Sequence, residues 1–155
     1  MKKLHLKWKD IEKSLSKMAD QLKESNFKTD VIISIGRGGM VPARILADML
    51  EVDEVTIIPA KMYTGVGTRN ARPLIGNINI SIKHRNVLVV DDIVDSGLTI
   101  DAVIDYLQKS TPSQIKTVTV AIKEDATVKP SYSDVVAKKE EWIVFPWERF
   151  VEFSE

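Results

Sequence analysis

The residues best placed to do chemistry lie in Val87-Leu88-Val89-Val90-Asp91-Asp92-Ile93-Val94-Asp95-Ser96-Gly97-Leu98-Thr99-Ile100. An apolar run ends in two adjacent acids, and a third acid opens a small polar turn that leads into helix-like spacing. Adjacent carboxylates repel, so the pair calls for compensation by hydroxyl donors such as those of a sugar, or by a divalent cation. The turn 95–99 followed by a helix start offers free N–H groups and two hydroxyls, which together make a phosphate socket. A second glycine-bearing turn, Gly36-Arg37-Gly38-Gly39, follows the apolar run Val31-Ile32-Ile33-Ser34-Ile35. It is not a dinucleotide fingerprint, because Val41 stands where the third glycine is needed, and no Gly-Lys-Ser/Thr loop is present.

These turns need a scaffold, and the spacing of apolar residues supplies one. Ile11, Leu15, Met18 and Leu22 recur at helical intervals over 8–25. Residues 31–35 and 87–90 read as buried strands, the second ending at Asp91-Asp92, and 42–50 and 99–109 as helices. Pro42 is expected near the first position of its helix. Strands are also predicted over 55–63, 78–82 and 115–122, with shorter ones beginning at Val135 and running over 142–145, and residues 64–77 read as a surface loop. Alternation of strands and helices, with continuously apolar strands, predicts an α/β fold with a mainly parallel central sheet flanked by helices.

Composition narrows the chemistry. The 155 residues suit one domain, 1–155, with enough apolar side chains (44%) to fold without staples. The absence of cysteine removes disulfides, thiolate catalysis and Cys-ligated zinc, and His5 and His84 are too few and too distant for a histidine cage. With 22 basic and 22 acidic residues, no whole-molecule nucleic-acid surface is expected. No apolar run is long enough to span a bilayer, so the reading is cytoplasmic, with no membrane partner.

The segment 87–100 resembles the motif of type I phosphoribosyltransferases that binds 5-phosphoribosyl 1-pyrophosphate (PRPP). Lys123 followed by Trp142-Ile143-Val144-Phe145-Pro146-Trp147-Glu148 is similar to the xanthine-guanine (6-oxopurine) enzymes of bacteria and their archaeal relatives. The resemblance implies a type I phosphoribosyltransferase fold with a small C-terminal hood over approximately 124–155. It implies transfer of the phosphoribosyl group to N9 of hypoxanthine, guanine or xanthine, with release of pyrophosphate, in purine salvage. Asp91 and Asp92 would engage the ribose hydroxyls directly or through Mg2+. Asp95, Ser96, Gly97, Leu98 and Thr99 would hold the 5′-phosphate, and Asp95 would assist proton loss from the purine.

Arg37, Gly38, Gly39 and Arg69 would bind pyrophosphate, Arg72 being a further candidate. A non-proline cis peptide is expected near Gly36-Arg37. Lys123 would donate to the 6-oxo group, with Lys129 as the rival donor. Trp142 would stack on the base and the Ile143 backbone would read its edge, while Trp147 and Glu148 are secondary candidates. The loop after Tyr63 would close over the reacting centre. The partners so implied are PRPP, a purine base and further copies of the chain, as a dimer or tetramer. An adenine phosphoribosyltransferase, or a PRPP-binding regulatory protein without turnover, are the alternatives that share the PRPP half.

Overall fold

The structure is a computed structural model that describes residues 1–63 and 72–148. Helix α1 (Trp8–Glu24) buries Ile11, Leu15, Met18 and Leu22, the predicted stripe. Its start is fixed by the Asp10 carboxylate, which accepts the Lys7 N–H at 2.8 Å. An acid in the first turn also suits the helix dipole.

Strand β2 (Val31–Ile35) and strand β6 (Asn86–Val94) lie side by side at the heart of a five-stranded parallel sheet. Its order is β3-β2-β6-β7-β8, where β3 is Val55–Ile58, β7 is Gln114–Lys123 and β8 is Tyr132–Ala137. Both central strands are apolar on each face because both faces are covered. On one side Ile32, Leu88 and Val90 pack with α1 and with helix α2 (Met40–Met49). On the other, Val31, Ile33, Val87 and Val89 pack with helix α3 (Leu98–Gln108). The chain winds outward from β2 to β3 and then resumes on the opposite side of β2 at β6. Their shared carboxyl edge is therefore a topological switch point, where α/β sheets leave a crevice.

The structure corrects several expectations. The predicted strand 55–63 divides at Pro59, which has no N–H to donate to a ladder. Its first half is β3; the second, β4 (Ala60–Tyr63), pairs antiparallel with β5 (Arg72–Ile75) in a separate ribbon. Residues 78–82 form no strand, and the alternation there serves packing instead, with Ile82 buried and Ile78 and Ile80 partly so. Strand β6 does not stop at Asp91-Asp92 but continues to Val94, because β7 keeps pairing with it through Val94↔Ile122. Pro42 is the third residue of α2 rather than near its first.

Strand β1 (Lys2–His5), not foreseen, pairs in parallel with β9 (Glu141–Val144). Within the expected hood of 124–155, β8 belongs to the central sheet. What stands apart from it is the β1–β9 ribbon and a 3₁₀ turn at Pro146–Glu148. Among the described residues no helix is long and apolar enough to cross a membrane.

Candidate active site

Two loops frame the crevice at the carboxyl ends of β2 and β6. In the first, Gly36 takes φ +44° and its N–H donates to Ile58 O at 2.9 Å. The Gly39 N–H returns to Ile35 O at 3.2 Å, which closes the turn into α2. The N–H groups of Arg37 and Gly38 find no acceptor among the described residues and remain available to an anion. Close approach explains the paired glycines. A Cβ on Gly38 would stand 2.6 Å from Asp92 Oδ2, and one on Gly39 would stand 2.3 Å from Val90 O. The expected cis peptide near Gly36-Arg37 is not found; no described peptide bond is cis.

In the second loop, Gly97 adopts φ +95°, which a side chain would strain, and precedes α3. The Leu98 N–H donates to Ser96 Oγ at 3.3 Å, and the Leu98 side chain is exposed. The N–H groups of Gly97, Thr99 and Ile100 have no acceptor among the described residues.

Between the loops lie the two acids. Asp91 Oδ1 accepts the Asp92 N–H at 2.9 Å and Asp92 Oδ1 accepts the Ile93 N–H at 2.8 Å, which leaves the second oxygen of each without a backbone donor. Burial, and then the charge of Asp92, push Asp91 well above the usual carboxylate range. Burial also raises Asp92, and the Glu148 charge adds to it. A cavity of about 530 Å³ opens here, lined by Arg37, Gly38, Asp91, Asp92, Trp147 and Glu148. A smaller one of about 190 Å³ adjoins it at Asp91 and Thr99 and lies over Asp95, Ser96 and Gly97. The donor set suits magnesium, which uses one or two carboxylates and leaves its other positions to water and phosphate oxygens. No cluster of three or more acids or histidines among the described residues would cage a cation unaided.

The acid pair and both loops thus meet in one place, but the residues expected to read the base do not. Lys123 is buried at the end of β7, where its ammonium donates to the carbonyls of Lys138 (3.1 Å), Lys139 (3.2 Å) and Glu141. It lines a separate cavity of about 430 Å³ with Gln21, Lys129 and Tyr132. Trp142 lies half-exposed on β9 opposite Lys3, and the Ile143 side chain is core, so only its backbone is offered to a ligand.

Two residues ranked secondary in the sequence do reach the acids. Trp147 stacks on Phe145 (4.8 Å between centroids, 7°) and leans on Trp8 at 5.9 Å. Glu148 is held by the Phe145 N–H at 2.9 Å. The Phe145-Pro146-Trp147 run alone gave no reason to prefer crevice over packing. Arg69 lies outside the described residues.

Comparison with known proteins agrees with this geometry. The phosphoribosyl transferase domain family matches residues 5–152. The chain is 28% identical over 151 residues to the xanthine-guanine phosphoribosyltransferase of Idiomarina loihiensis, covering 96% of this chain and 88% of that protein. It is 31% identical over 151 residues to the enzyme of the same name from Chromohalobacter salexigens, covering 96% and 85%. The crystal structure of a purine phosphoribosyltransferase from Pyrococcus horikoshii superimposes with a TM-score of 0.84 at 34% identity, covering 100% of this chain and 99% of that one.

Proposed function

This chain belongs to the phosphoribosyl transferase domain family, and on that premise we propose that it transfers the 5-phosphoribosyl group of PRPP to N9 of a 6-oxopurine. Pyrophosphate leaves C1′ as N9 bonds to it. Relatives named xanthine-guanine and hypoxanthine-guanine phosphoribosyltransferase support a 6-oxopurine, in purine salvage, over adenine. The observation that carries the reading is the partly buried acid pair set between two loops with unsatisfied N–H groups. That spacing of charge suits a sugar with phosphates at both ends.

Catalysis here is positioning and charge stabilisation. Arg37 and the N–H groups of residues 37 and 38 receive the leaving pyrophosphate, with Gly39 shaping the turn. Residues 95–99 grip the 5′-phosphate. Asp91 and Asp92 accept from the ribose hydroxyls, which relieves their burial and mutual repulsion. They are also the residues that would hold Mg2+, and a bound magnesium ion supplies neutralisation of charge developing on pyrophosphate. Asp95, at the rim of the smaller cavity, is read as the group assisting proton loss from the purine. Lys123 is assigned to the 6-oxo group, with Trp142 and the Ile143 backbone on the base side; because Lys123 lines a cavity separate from the acid pair, reading the base there requires the 138–148 segment to rearrange around it.

The enzyme is read as a cytoplasmic homo-oligomer, a dimer or tetramer; Val55 and Ile57, exposed on the edge strand β3, support an apolar contact there. The test is a panel of hypoxanthine, guanine, xanthine and adenine with PRPP and Mg2+, following nucleotide formation. Turnover of the three 6-oxopurines is expected. Adenine as sole substrate, or PRPP binding without turnover, would overturn the reading.

A further inference from the structure

The loop assigned to the 5′-phosphate is clamped from behind. The carbonyl oxygen of Ser96 accepts from the Thr127 N–H (3.0 Å), the Thr127 hydroxyl (3.0 Å) and the Val128 N–H (3.4 Å). Three donors converge on one acceptor with two lone pairs, an unusual concentration for an exposed turn. Val128 also closes against Gly97, where a Cβ would come within 2.5 Å of its own.

This clamp sets the direction of a donor. Across a planar trans peptide, C=O and N–H point in opposite senses. Holding the Ser96 carbonyl toward residues 127–128 therefore turns the Gly97 N–H the other way, and that N–H has no acceptor among the described residues. A peptide followed by glycine is the easiest kind to flip, because glycine tolerates both resulting values of φ. Flipped, this peptide would present a carbonyl oxygen to the phosphate in place of an N–H.

We propose that Thr127 is a positioning residue that locks the Ser96–Gly97 peptide with its N–H toward the 5′-phosphate. The proposal rests on the assignment of residues 95–99 to that phosphate. It makes the turn after β7 part of the phosphate site, although no residue of that turn lines the smaller cavity.

Thr127 is exposed, so Thr127→Val should fold; Thr127→Ser keeps the hydroxyl donor and serves as the rescue. Each variant is compared with the parent for KM of PRPP, KM of the base, and kcat. Inhibition by guanosine monophosphate, which carries the 5′-phosphate, and by magnesium pyrophosphate, which does not, is measured alongside. Loss of one hydrogen bond should raise the KM of PRPP and weaken the nucleotide by the same factor, about fivefold. Pyrophosphate inhibition, base KM and the serine variant should stay near the parent.

Equal weakening of pyrophosphate would mark a general structural defect and overturn the proposal, as would a valine variant with unchanged PRPP and nucleotide affinity, or a serine variant as weak as valine. Failure of the parent itself to bind PRPP or the nucleotide would instead refute the substrate assignment, before any variant is compared.

Discussion

Gly38→Ala should separate activity from folding. The added Cβ would stand 2.6 Å from Asp92 Oδ2 and 2.7 Å from its Cγ and Oδ1, whereas ordinary contact begins at 3.4 Å. The carboxylate must therefore retreat by about 0.8 Å, which pulls Oδ1 off the Ile93 N–H that holds it at 2.8 Å. Misplacement of about 1 Å at a reacting centre costs on the order of a hundredfold, so kcat/KM for PRPP should fall by about that factor. The fold should survive, because what yields is the end of a side chain and not the backbone.

Gly39→Ala provides the contrast. Its Cβ would meet Val90 O at 2.3 Å and Ser34 Oγ at 2.9 Å, so the backbone of the turn and the start of α2 would have to move off the sheet. That variant should lose stability by about 1–3 kcal/mol or more. Steady-state rates with PRPP, Mg2+ and a 6-oxopurine, beside thermal unfolding curves, give both readouts. A Gly38→Ala enzyme within about threefold of the parent would refute the claim that Asp92 must sit where it does to serve catalysis.

Further outcomes follow from the same geometry. Because the native pKa of Asp91 is raised, by burial first and Asp92 second, its contribution to stability is complete below the unfolded carboxylate range, about pH 4, and is lost as pH rises through the native value. Asp91's share of the stability of the unliganded protein should thus decline from acid toward neutral pH, against the opposite trend from Glu54, Asp134 and Glu141, whose carboxyls are held below their ordinary values chiefly by Arg85, Lys17 and the Lys138 N–H. Asp91→Asn should flatten that decline and melt higher than the parent at pH 7 while losing PRPP turnover; a lower melting point there would contradict the burial argument. Lys123→Met leaves three carbonyls without their ammonium and should cost about 2 kcal/mol in denaturant unfolding as well as weakening 6-oxopurines. An unchanged unfolding midpoint would show that the 138–141 turn does not depend on it. Glu51 closes α2 at φ +55°, with its own N–H on Asp48 O and the Val52 N–H on Ala47 O, the arrangement that glycine usually completes. Glu51→Gly should stabilise by about 1 kcal/mol at unchanged activity, and a drop in melting temperature would contradict it.

What the sequence made legible is what depends on neighbours along the chain. The runs 31–35 and 87–90 are apolar at every position but Ser34, a pattern that a strand covered on both faces produces directly. The two small turns that follow carry glycines whose spacing mirrors close approach in space. Other features depend on distant partners. Strand β1 exists because β9 lies beside it, and nothing in Lys-Lys-Leu-His announces that pairing. The alternation at 78–82 predicts a strand because period two is the same signal whether the partner is another strand or the core. Trp147 and Trp142 sit in similar surroundings along the chain, and only the 3₁₀ turn at 146–148 sends the first of them to the acids. The branching of 55–63 was legible in principle, since Pro59 is a known interruption of ladders.

The β1–β9 ribbon bears on how the molecule is assembled during synthesis. Lys2 is made first of the pair but must wait for Glu141 before the ribbon closes, after every strand of the central sheet has been made. Disturbances at opposite ends of the described chain therefore converge on the same late-forming strap.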